Sequence, residues 1–68
     1  MTFEGAAVVE NRVAAVRWCG SQQDKGKSAQ EIYEYAATDL DFTIAHYGEA
    51  TARRLGCYER LETARSMA

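Results

Sequence analysis

The chain has 68 residues, with eight basic and ten acidic side chains, one His, two Cys and no Pro. That length fits a single domain, residues 1–68, and a chain this short buries only ~60% of its unfolded surface, so a lone monomer is expected to be marginal. No apolar run is long enough to span a bilayer. Met1-Thr2-Phe3-Glu4 lacks the basic end and apolar core of a secretion signal, and a net charge of −2 exerts no general pull on nucleic acid or anionic lipid.

The first segment, about residues 3–19, is rich in Ala and Val. Val9, Val13 and Val16 recur at helical spacing, Ala6 extends the row, and Gly20 stands at a plausible C-cap, so a helix is expected. The competitor is a β-hairpin with strands Ala6–Val9 and Val13–Trp18 around Glu10-Asn11-Arg12; its valines favour strands, while its alanines and a turn without Gly do not. Residues 20–27, Gly20-Ser21-Gln22-Gln23-Asp24-Lys25-Gly26-Lys27, are polar and hold two of the five glycines, which reads as a loop.

Ser28-Ala29-Gln30-Glu31 is a capping box that opens a second helix, and Glu31 and Glu34 suit the positive end of its dipole. On a helical wheel Ile32, Tyr33, Ala36, Leu40, Ile44, Tyr47, Thr51, Leu55, Tyr58 and Leu61 fall on one stripe. The phase predicts one helix over about 29–65, about 55 Å long, with a possible kink or break at Gly48. The fold class is therefore all-α: a short N-terminal helix folded back on a long C-terminal one. The shorter helix covers only part of the stripe. Leu40, Ile44, Tyr47, Leu55, Tyr58 and Leu61 are then expected to bury themselves in a homodimer or higher antiparallel bundle. A break at Gly48 leads instead to a three-helix monomer that covers itself. Residues 28–50 carry five acidic side chains and no Lys or Arg, whereas residues 51–68 carry four Arg against two Glu. That polarity suits the helix dipole and also antiparallel pairing of two copies.

Tyr35 and Phe42 lie two turns apart on the side opposite the stripe, beside His46. With Trp18 they form a candidate surface for an unidentified protein partner, since aromatic side chains bring large contact area at low entropic cost. The competing reading packs these rings beneath the first helix or the loop.

The chemistry-bearing residues are sparse. Cys19 and Cys57 are too few for a disulfide framework and read as reduced thiols of a cytoplasmic protein, with a single bridge between them as the alternative. No metal set is expected: the lone His46 and two separated cysteines fall short of a zinc site, and the carboxylates form no Glu-x-x-His pair. Gly26-Lys27-Ser28 echoes the end of a phosphate-binding loop, but the required upstream glycine position is Ser21. No cofactor and no enzyme activity are expected.

Ala52-Arg53-Arg54-Leu55-Gly56 resembles the Ala-x-x-x-Gly segment at the start of the helix-turn-helix of many bacterial repressors. The resemblance covers five residues and implies a DNA-binding regulator built around residues 50–65. The pattern departs at Glu62, where an apolar residue is usual, and at Cys57 and Tyr58. Glu59 and Glu62 also offset Arg60 and Arg65 on the implied recognition helix.

Overall fold

The computed structural model describes residues 3–68, with side chains from Val8 onward; Met1, Thr2 and the side chains of residues 3–7 lie outside them. The described chain is all-helical: α1 (Phe3–Asp24), α2 (Ala29–Tyr47), α3 (Glu49–Leu55) and α4 (Cys57–Met67). The first segment is helical throughout, so the β-hairpin alternative is absent.

α1 runs past Gly20. A glycine inside a helix forfeits only ~1 kcal/mol relative to Ala, and local signals alone do not force a stop there. The stop comes at Gly26, whose φ of +85° is the left-handed conformation that favours glycine. Its N–H donates to the Gln23 carbonyl at 2.9 Å and the Lys27 N–H to the Gln22 carbonyl at 3.1 Å, the paired bonds of a Schellman cap. The polar stretch 20–27 is therefore mostly the last turn of α1.

The capping box at Ser28 forms as the sequence predicts. The Glu31 N–H donates to Ser28 Oγ and the Ser28 N–H to Glu31 Oε1, both at 3.1 Å. Hydrogen bonding to the carboxylate, from the Ser28 backbone N–H first and the Ser28 hydroxyl second, holds the Glu31 carboxyl below the usual carboxylate range. A folded-state pKa below the unfolded one favours the fold above the ordinary carboxylate range, and that contribution is lost as pH falls through it. Ser28→Ala is expected to destabilise the fold by about 1 kcal/mol, a drop in thermal midpoint of roughly 4–8 °C by circular dichroism. An unchanged midpoint would show that packing, not the cap, sets the start of α2.

The long C-terminal helix is corrected to three helices. Gly48 (φ +90°, ψ 162°) ends α2 and Gly56 (φ +80°, ψ 20°) ends α3, each serving also as the N-cap of the next helix without a side-chain cap bond. The described residues extend 36 × 28 × 16 Å, too short for a rod of about 55 Å. The chain turns at each glycine, and α4 returns to lie between α1 and α2, which touch each other little.

Two buried clusters result. Cys19, Ile32, Ala36 and Ala64 form one, flanked by Trp18, Tyr33, Leu61 and Met67. Leu40, Ala52 and Cys57 form the other, flanked by Tyr58 and Leu61. Leu61 joins the two. The acidic half meets the basic half inside one chain: Arg60 Nη1 lies 3.1 Å from Asp39 Oδ2, and the Arg60 guanidinium stands 4.9 Å from the centre of the Trp18 ring. One arginine thus ties α4 to both α1 and α2.

Candidate functional site

The predicted self-association stripe is divided by the two turns. Leu40 is buried, and Tyr58 and Leu61 pack half-buried against the intramolecular core, whereas Ile44, Tyr47 and Leu55 remain exposed. The stripe is therefore not one continuous surface, because Gly48 and Gly56 redirect the helix axis while the spacing of apolar residues continues.

The predicted aromatic surface keeps its exposure. Tyr35 is 62% and Phe42 55% exposed on α2, while Ile32, Ala36, Leu40 and Thr43 fill its buried side. Each ring has a neighbour. Trp18 reaches across from α1 to within 5.8 Å of Tyr35, centroid to centroid, and His46 stacks on Phe42 at 4.2 Å. The four residues thus form two pairs along α2. Trp18 is half-buried and anchors the Tyr35 pair to the core; the Phe42–His46 pair stands on the exposed C-terminal part of the helix. A groove beside Tyr35, lined by Gln22, Lys27, Glu31, Glu34 and Thr38, runs between the end of α1 and the start of α2.

Both cysteines are buried and free. Burial raises the Cys19 thiol above its ordinary value, against the nearby Arg60 charge, which lowers it, so the protonated and weakly nucleophilic form is favoured at neutral pH. Cys57 Sγ faces Thr43 Oγ1 at 3.9 Å and Asp39 Oδ2 at 4.0 Å, while His46 is engaged with Phe42. Among the described residues, no three or more His, Cys, Asp or Glu converge where they could hold a metal ion. No described helix is long and apolar enough to cross a membrane.

At the segment resembling a helix-turn-helix, α3 and α4 are joined by Gly56 alone, whereas the motif's turn spans about three or four residues. Arg53 pairs with Glu49 at 2.6 Å and lies over the Tyr58 ring at 4.9 Å. Arg54 is exposed beside it.

Sequence reasoning missed the outer side of α1. Val9, Val13 and Val16 are 56%, 47% and 62% exposed, and α1 turns Ala15 and Cys19 to the core instead. Small residues permit close approach to Ala64 of α4, which is fully buried. The available signal was that the apolar residues of α1 spread over more than one side, with Ala15 and Cys19 roughly 100° around the helix from the valine row.

Comparison with family models, with characterised proteins and with solved structures finds no match for this chain.

Proposed function

We propose that this chain is a small, non-catalytic interaction module of the cytoplasm that self-associates and binds another protein. The observation that carries the partner-binding part is the pair of large aromatic side chains, Tyr35 and Phe42, left exposed on the outer side of α2. The two core clusters close on other residues. Exposed aromatics aligned on a rigid helix are the residue types that dominate binding energy at protein interfaces. Trp18 and His46 back the two rings and restrict their rotamers, which lowers the entropy lost on docking. The apolar surface remaining on α1, together with Ile44, Tyr47 and Leu55, supports self-association.

The double variant Tyr35→Ala, Phe42→Ala is expected to keep the helical circular dichroism spectrum and lose partner capture. A photo-crosslinking residue at position 42 should trap the same partner, and one at Gln23, on the exposed end of α1, should not. Unfolding of the double variant would place the rings in the core and end this reading, as would identical crosslinks from both positions. Salt-sensitive retention on duplex DNA, reduced by Arg53→Ala with Arg54→Ala, is the result that would move the function to nucleic acid.

A further inference from the structure

We propose that the outer face of α1 is the self-association seam, pairing antiparallel with α1 of a second copy; this rests on the self-association reading above. Val9, Val13 and Val16 follow the four-then-three spacing of a coiled-coil seam. All three are about half or more exposed, on a side of α1 turned away from the buried Ala15 and Cys19. Shallow apolar grooves run beside the row, bounded by Glu10, Arg12 and Arg17, so that one row can seat against the flank of another.

Charge selects the occupant and its direction. Glu10 and Arg17 are both exposed, stand seven residues apart and flank the same edge of the row. A two-fold axis through Val13 sets Val9 against Val16 of the second copy. The same axis brings Glu10 against the second copy's Arg17, and the reverse, which gives two opposite-charge contacts from one surface. This self-complementarity is what an isologous pair requires. Arg12 lies on the other edge. Parallel pairing would bring Arg12 against the second copy's Arg17, five residues on, where coiled-coil partners meet, and like charges there are unfavourable. Three apolar layers make a small interface, so the dimer is reversible and concentration-dependent.

Sedimentation velocity of the full chain over a wide concentration range tests this. The wild type is expected to shift from monomer to dimer as concentration rises. Val13→Lys, at an exposed position, should leave the fold unchanged and weaken the dimer at least about tenfold, because it places two ammonium groups on the axis. Glu10→Arg alone and Arg17→Glu alone should each weaken it by roughly two- to fivefold, and the two together should restore it. A monomer at every concentration ends the self-association reading and this seam with it. A dimer that tolerates Val13→Lys leaves the reading standing but moves the seam elsewhere. Failure of the double charge reversal to restore pairing overturns the antiparallel arrangement.

Discussion

Ile32→Ala is expected to lower the thermal midpoint by more than about 10 °C, enough to leave much of the chain unfolded at physiological temperature. Among the described residues Ile32 is the largest side chain that the fold buries completely, and it packs against Cys19 of α1, Ala36 of its own helix and Ala64 of α4. It therefore stands where three helices meet. Truncating a buried aliphatic side chain removes its transfer free energy and leaves a cavity, together about 2–5 kcal/mol. A domain this small has only on the order of 3–10 kcal/mol in total. The buried neighbours Cys19, Ala36 and Ala64 are small and offer few atoms to move into the gap, so any relaxation must come from the larger side chains at the cluster's edge. Leu55→Ala is the companion measurement. Leu55 is exposed at the end of α3, and its truncation should shift stability by no more than ~0.5 kcal/mol. A single long helix buried in a dimer predicts instead a large loss at Leu55. Equal losses at the two positions would therefore contradict the four-helix arrangement.

The second large effect is expected at the corner between α3 and α4. Gly56 adopts φ +80°, and a Cβ built there would lie 3.0 Å from Asn11 Cγ of α1. Two costs combine in Gly56→Ala. The left-handed conformation penalises an L-residue by about 1–2 kcal/mol. The Asn11 side chain must also move, and it now donates from Nδ2 to the Arg53 carbonyl at 3.3 Å. A total loss of about 2–3 kcal/mol in chemical denaturation is expected. Most of the steric part is separable by a double-mutant cycle: in an Asn11→Ala background Gly56→Ala should cost less, because the contacts with Cγ and Oδ1 are gone and only the backbone strain and the Cβ contact at 3.2 Å remain. Strict additivity would mean that α1 does not rest on this corner. Gly20→Ala should have the opposite sign. Gly20 is helical with open space where a Cβ would go, so alanine there should gain up to ~1 kcal/mol.

The three glycines show why one part of the fold was legible in the residues and another was not. Gly20 inside a helix, Gly48 between two helices and Gly56 at a tight corner look alike in a sequence, because local propensity separates a helical glycine from its neighbours by only ~1 kcal/mol. Whether the chain bends at each is decided by what the bend buries. At Gly56 the turn brings Cys57, Tyr58 and Leu61 back against Leu40, a gain of buried apolar area that a straight helix would have to seek in a second molecule. Helical periodicity survives two single-residue breaks with its phase nearly intact, so the wheel reports one stripe where the chain makes a folded core. The charge pattern behaved likewise: the complementarity of residues 28–50 and 51–68 is met within one chain by Asp39 and Arg60.

Sequence alone determined the all-helical class, the start of α2 at the Ser28–Glu31 capping box and the buried side of that helix at Ile32, Ala36 and Leu40. Each rests on short-range physics: hydrogen bonds between residues three apart, and apolar spacing along one uninterrupted helix. It also picked out Tyr35 and Phe42 as lying away from that buried side, for the same reason. Only the tertiary structure decided which side of α1 is covered. Valine and alanine occur on both its sides, and close packing against Ala64 favoured the small pair Ala15 and Cys19, leaving Val9, Val13 and Val16 outside. Such a choice depends on how near another helix can approach, a distance set by residues some fifty positions away that no local pattern encodes.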